Sequence, residues 1–125
     1  MAIKITKDNG LTVHDVTGRV TEFEMHDALE KLYKEELTDL LLWDMSKADV
    51  SHVTSETLRN FAMKSAKLGV RREGGRTAVV APTDLQYGLA RISDVFLETE
   101  GAPFSFRVFR AREEALKWLW SADNI

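Results

Sequence analysis

The sequence contains no cysteine, which excludes disulfides, thiolate zinc sites and thiol nucleophiles. It lacks long apolar runs. The longest, Leu40 to Trp43, is far short of the roughly 20 residues that a membrane span needs. Met1 to Gly10 has no apolar stretch of the kind a secretory leader requires. The chain is therefore expected to be soluble and cytoplasmic. A basic surplus is also missing, since 17 Lys and Arg stand against 20 Asp and Glu. That argues against nucleic acid as a partner and against a polybasic membrane anchor. Proline is scarce: Pro82 and Pro103 are the only two, and both fall at element boundaries. No linker, repeat or low-complexity stretch divides the 125 residues, which are expected to make a single domain over 1–125 with a substantial core.

What is present reads as alternating strands and helices. Ile3–Thr6 and Leu11–Val16 alternate at the strand period, with Gly10 in a hairpin turn between them. Thr21-Glu22-Phe23-Glu24 has the spacing of a capping box, with Val20 and Met25 as its hydrophobic staple. Met25, Ala28, Leu29 and Leu32 then share one helical face. Leu40–Trp43 is apolar without alternation, as in a strand buried on both faces of a parallel sheet. A second helix runs from about Ser55 to Leu68, with Leu58, Phe61, Ala62 and Ser65 inward and Gly69 as its C-terminal cap. Thr77–Ala81 is a second fully apolar strand, expected beside or near the first. Thr83 or Asp84 caps a third helix reaching about Thr99. Phe104–Phe109 is a fifth strand and Glu113–Trp120 a last helix. The order β-β-α-β-α-β-α-β-α predicts an α/β domain with a mixed, mostly parallel five-stranded sheet.

Few residues carry a chemical signal. His14, His26 and His52 lack ligand-type spacing, and each is expected to be solvated or helix-terminal. Ser51 and His52 are adjacent, so their side chains point apart and make no dyad. Gly74-Gly75 precedes a strand rather than a helix, which fits a tight turn with positive φ and not a phosphate loop. Arg71, Arg72 and Arg76 suit a helix C-terminus, or an anion contact. No catalytic residue, metal site or cofactor is expected.

Asp44 and Ser46 leave a buried strand at its carboxyl end, where ligands bind in open α/β sheets. The polar stretch from Lys47 to Ser55 is expected to be a long loop ending at a helix N-terminus. Two readings of it stand side by side: an anion site, or a capped connector with Asp44 tied to backbone amides.

On the third helix, Leu85, Gly88, Leu89, Ile92, Val95 and Phe96 cluster on one face, with Tyr87, Ala90 and Leu97 roughly opposite. Leu85, Leu89, Ile92 and Phe96 are expected to pack on the sheet. Tyr87, Ala90 and Leu97 are expected to meet another subunit or a membrane-like surface. The plainer alternative has Tyr87 turning its hydroxyl to solvent and Leu97 tucking under the Gly101–Pro103 turn.

Leu40–Ser46 (LLLWDMS), Gly74–Pro82 (GGRTAVVAP), Tyr87–Phe96 (YGLARISDVF) and Phe106–Leu119 (FRVFRAREEALKWL) together resemble the SpoIIAA-like proteins, small bacterial relatives of the STAS domain of the STAS/SEC14 type. The resemblance implies the STAS-type fold and a binding or regulatory module without catalysis. It implies a protein partner, a second copy of the chain, or an apolar ligand or peripheral membrane contact near the third helix. In anti-sigma-factor antagonists of this fold, a serine at the start of the helix after the third strand is phosphorylated. The matching positions here are Thr54 and Ser55, where Val53-Thr54-Ser55-Glu56 stands in place of Asp-Ser-Ser-Gly. Lipid carriers of the SEC14 type hold an apolar ligand between a sheet and a movable helix. The third helix, with Gly88 inside it, is the corresponding gate.

Overall fold

A computed structural model describes residues 2–35 and 37–121. Among them are five strands, β1 (Ala2–Asp8), β2 (Leu11–Arg19), β3 (Leu40–Asp49), β4 (Arg76–Val80) and β5 (Ser105–Phe109). Four helices, α1 (Glu22–Lys34), α2 (Ser55–Leu68), α3 (Asp84–Thr99) and α4 (Arg112–Leu119), follow β2, β3, β4 and β5. The elements come in the expected order, with one added 3-10 turn, Gly69–Arg72, between α2 and β4.

The sheet order is β1-β2-β3-β4-β5. β1 is antiparallel to β2, and every later neighbour pair is parallel. Asn9 and Gly10 both have positive φ, as a two-residue hairpin turn with the twist of its strands requires. Right-handed crossovers that all step the same way across a sheet put their helices on one face. Accordingly α1, α2 and α3 pack side by side, while α4 packs on β3, β4 and β5. Strand alternation then makes two cores. Leu11, Val13, Leu42, Ala78 and Val80 meet Ala115 and Leu119 of α4. Leu41 and Trp43 meet Leu29, Leu32 and Phe61 under the helix layer. Leu40–Trp43 and Ala78–Val80 lie in adjacent, paired strands, as expected, with Ala81 just past the end of β4; Leu41, Leu42 and Ala78–Ala81 are buried, while Leu40 and Trp43 are half-buried.

Three expectations need correction. The polar segment after Asp44 is not a long loop, because β3 continues to Asp49. Pairing with β2 shifts register between Asp15 and Thr17, which face Asp44 and Lys47. Two β3 residues, Met45 and Ser46, therefore oppose one on β2, which is a β-bulge. Second, Gly69 is the C-cap of α2, as expected, but in the right-handed region, with φ −65°, and not in the left-handed conformation such caps often take. Its lack of a side chain serves close packing, since a Cβ there would lie 2.5 Å from Cε2 of Phe104. Third, His14 is neither solvated nor helix-terminal. It is fully buried in β2, stacked on Trp43.

Arg72 resolves the basic group as structural. It is fully buried and donates from Nε to the Thr38 carbonyl and from Nη1 to Thr77 Oγ1. Its Nη2 donates to the carbonyls of Asp39 and Arg76. One side chain thereby ties the connector before β3 to the start of β4. Arg71 donates to the Tyr33 carbonyl, and Arg76 to the Trp118 carbonyl across the sheet.

Candidate functional site

The helix layer and the sheet do not close completely on each other. An apolar cavity of about 130 Å³ lies between them. Its floor is Leu41, Trp43 and Met45 of β3, with Val79 of β4 and Phe106 of β5. Leu58, Phe61 and Ala62 of α2 form one wall, and Leu89, Ala90, Ser93 and Leu97 of α3 form the other. Strand alternation explains the floor: Leu41, Trp43 and Met45 are alternate residues of β3 and so share its helix-facing side.

Four of the polar residues at the rim, Gln86, Ser93, Thr77 and Arg72, are engaged by the protein itself. Gln86 Nε2 donates to the carbonyls of Met45 (2.9 Å) and Ala48 (3.2 Å), and its Oε1 accepts from the Thr83 amide. Thr83 in turn accepts the Gln86 amide, which completes a capping box. Ser93 donates to the Leu89 carbonyl inside its own helix, and Thr77 accepts from Arg72. The space therefore offers a guest apolar surface.

α3 is rotated from the expected orientation. Leu97, assigned to the outer side, is 5% exposed, whereas Leu85 and Val95 of the supposed inner face are 52% and 60% exposed. Ile92 also lies outside, and Ala90 joins the cavity wall. Phe96 turns toward α2, where the Arg59 guanidinium lies over its ring at 5.4 Å. Tyr87 is half-buried under Arg110, 4.3 Å from the ring centroid. Of the six gate candidates, Leu89, Ala90 and Leu97 meet at the cavity, while Tyr87, Ile92 and Phe96 do not line it. Leu97 is buried on the cavity side, and its carbonyl accepts the Ala102 amide at the end of the helix. The reason for the error is Gln86. A helix apolar on most sides does not fix its own phase, and the polar residue that sets it points inward to bond the Met45 carbonyl at the β3 bulge and the Ala48 carbonyl beyond it. The Thr83-x-x-Gln86 spacing, a capping-box signature, was the available signal.

Asp44 and Ser46 do come together. The Ser46 amide donates to Asp44 Oδ1 at 3.0 Å, and the Ser46 hydroxyl donates to the same oxygen. Arg112, opening α4, donates to Asp44 Oδ2 (2.9 Å) and to Asp15 Oδ1 (2.6 Å). Burial pushes the Asp44 carboxyl up. The Ser46 hydroxyl and amide and the Arg112 guanidinium outweigh that and hold it below the usual carboxylate range. This is the connector reading, refined: Asp44 secures the bulge and ties α4 to β2 and β3. Asp15 and Arg112 escaped sequence reasoning because they are distant in the chain. Asp49-Val50-Ser51 repeats the motif, with the Ser51 amide and hydroxyl on Asp49 Oδ1.

Thr54 is the N-cap of α2, accepting the Thr57 amide at 3.2 Å, and Ser55 is the first helical residue. Both are exposed. Glu22 approaches from α1, its Oε1 accepting from Thr57 Oγ1, so the helix start already carries acidic side chains in Glu22 and Glu56. Val53 and Leu58, on either side of this pair, line the cavity.

Among the described residues, no helix is long and apolar enough to cross a membrane, and no group of His, Asp and Glu could hold a metal ion. No family model and none of the curated proteins matches this chain.

Proposed function

We propose that the protein is a non-catalytic binding module of the STAS type that takes a small apolar molecule, about the size of one ring, beneath α3. The cavity carries this reading. Apolar cavities of roughly 150 Å³ stay dry and take up benzene or xenon, and this one is of similar size at about 130 Å³. Gln86, Ser93, Thr77 and Arg72 at its rim are already bonded, so a polar guest would find few partners and would pay for its own desolvation. Trp43, Phe61, Phe104 and Phe106 around it favour a flat ring through stacked or edge contacts. The four sequence segments that resemble SpoIIAA-like proteins support the family assignment. The movable helix of SEC14-type carriers supports α3 as the gate.

The phosphorylation switch has less behind it. A phosphate on Thr54 or Ser55 would gain from the α2 N-terminus but would sit beside Glu56 and Glu22, whose charges oppose it.

The test is titration with toluene and with indole, followed by NMR of the methyl groups of Leu89, Leu97 and Ala62. Saturable shifts confined to the cavity are expected. They should vanish in Ser93→Leu, which fills the space with apolar atoms. Absence of saturable shifts in the wild-type protein, or their persistence in a folded Ser93→Leu, overturns the proposal. Native mass spectrometry of freshly purified protein would identify a retained guest.

A further inference from the structure

β1 is an edge strand of seven residues without proline, and among the described residues only β2 pairs with it. Natural edges are usually short, bulged or covered, because a free edge is a template for another strand. The hairpin determines what this edge offers. Asp8 and Leu11 face each other across the two-residue turn, and the pair flanking such a turn exchanges both main-chain hydrogen bonds. Alternation then directs Thr6, Lys4 and Ala2 toward β2. It directs the main-chain N–H and C=O of Ile3 and Ile5 outward, away from the sheet. Ile5 is also 42% exposed, a large apolar side chain at the middle of the strand.

We propose that β1 pairs antiparallel with β1 of a second copy of this chain, about a two-fold axis at Ile5, joining the two sheets edge to edge. The edge is complementary to itself in that register. Ile5 faces Ile5, Ile3 faces Lys7, Lys4 faces Thr6 and Ala2 faces Asp8, so no like charges oppose each other. Up to about six backbone hydrogen bonds can form. The neighbouring registers are worse. Shifting so that Ile3 faces Ile5 sets Lys4 against Lys4, and like charges directly opposite destabilise a sheet. Shifting the other way sets Lys4 against Asp8, which is favourable, but brings Asn9, in the turn, opposite Ile3 and so gives up about two of the six backbone bonds. Lys4 and Lys7 are charges of the kind that keep an edge from indiscriminate pairing. In this register each meets an uncharged residue, so they select the self-pairing while discouraging others. This surface is separate from the cavity, and its failure would leave the ligand proposal untouched.

Sedimentation velocity over a range of concentrations tests the proposal, with three variants of the full chain. Ile5→Pro removes an outward N–H and leaves the bonds to β2 in place; it should be monomeric. Thr6→Glu and Thr6→Lys alter the residue facing Lys4 without touching the edge backbone. Thr6→Glu should tighten the dimer and Thr6→Lys weaken it, each by roughly three- to tenfold, with the gap narrowing in high salt. The proposal is overturned by a wild-type protein monomeric at every concentration. A dimer equally strong in Thr6→Glu and Thr6→Lys, or one that survives in a folded Ile5→Pro, also overturns it.

Discussion

The imidazole of His14 lies flat on the indole of Trp43, with ring centroids 4.0 Å apart and planes within 11°. Neither ring nitrogen of His14 has a hydrogen-bond partner among the described residues. Burial first, and the Lys7 ammonium second, pull its pKa from the ordinary 6.5 to about 4, with Asp15 opposing. The folded protein thus holds His14 neutral where the unfolded chain would protonate it. Between those two values the unfolded state binds more protons, so stability rises with pH and is lost as pH falls from 6.5 toward 4. The loss attributable to His14 is about 3 kcal/mol at its full extent. His14→Leu, similar in volume and without polar atoms, should be near neutral at pH 7 and should lack that share of the acid loss. Urea denaturation of both proteins at pH 7, 5.5 and 4.5 checks this. Parallel pH profiles would show that His14 is not buried in the neutral form.

Arg72 supplies an anchor of a different kind. Its guanidinium satisfies three backbone carbonyls and the Thr77 hydroxyl, and lies 5.1 Å from the centroid of the Phe104 ring. Arg72→Met keeps much of the stem and removes the donors that serve the Thr38 and Arg76 carbonyls and the Thr77 hydroxyl, while the Asp39 carbonyl keeps the Arg76 amide. Each buried acceptor so exposed costs on the order of 1 kcal/mol, so a loss of about 3 kcal/mol and a thermal midpoint lower by roughly 10 °C are expected. Differential scanning calorimetry decides it. A midpoint within a few degrees of wild type would mean that water replaces the guanidinium at little cost.

The strands and helices were legible because their signals are local. The apolar runs at Leu40 and Thr77, the capping box at Thr21 and the turn glycines all act within a few residues of themselves. Thr21 does accept the Glu24 amide, as its spacing requires. The cavity was not legible. It depends on how far α3 stands from β3, and that distance is set by Gln86 reaching the Met45 and Ala48 carbonyls 41 and 38 residues away. The same holds for Asp44. Its Asp-x-Ser bond to Ser46 is local and could be anticipated, whereas its tie to Arg112 spans 68 residues. His14 misled because one histidine in a strand gives no sign of whether the ring beside it is water or Trp43.

Gly69 and Gly75 are both tight, for different reasons. A Cβ on Gly75 would lie 2.6 Å from the Asp39 carbonyl oxygen and 3.0 Å from that of Arg72. These are backbone atoms, and both carbonyls also accept hydrogen bonds, from Arg76 and Gly75 itself. A Cβ on Gly69 would meet the edge of the Phe104 ring, which can turn aside. Gly75→Ala should therefore destabilise by about 2–3 kcal/mol, as overpacking against a fixed frame does. Gly69→Ala should cost less, because part of its clash is relieved and alanine favours the helical φ it holds. Urea midpoints for the two variants give the order, and a reversed order would mean that the Asp39 connector yields more easily than the Phe104 ring.

Gly88 lies in the second turn of α3, and a Cβ there would touch nothing within 4 Å. Close packing is thus not the reason for it. Glycine in a helix interior costs about 0.5–1 kcal/mol relative to alanine, so Gly88→Ala should raise stability by that amount and the thermal midpoint by a few degrees. The consequence for ligand exchange follows from where α3 is held. Gln86 fastens its first turn to β3, while Leu89, Ala90, Ser93 and Leu97 beyond Gly88 close the cavity. If the helix bends at Gly88 to admit a guest, alanine stiffens that hinge without changing the walls. Toluene should then enter and leave Gly88→Ala more slowly than wild type, with its affinity changed little. NMR exchange measurements on the Leu89 and Leu97 methyls report both rates. A more stable variant with unchanged exchange rates would place the opening motion elsewhere, with the α3 hinge playing no part in it.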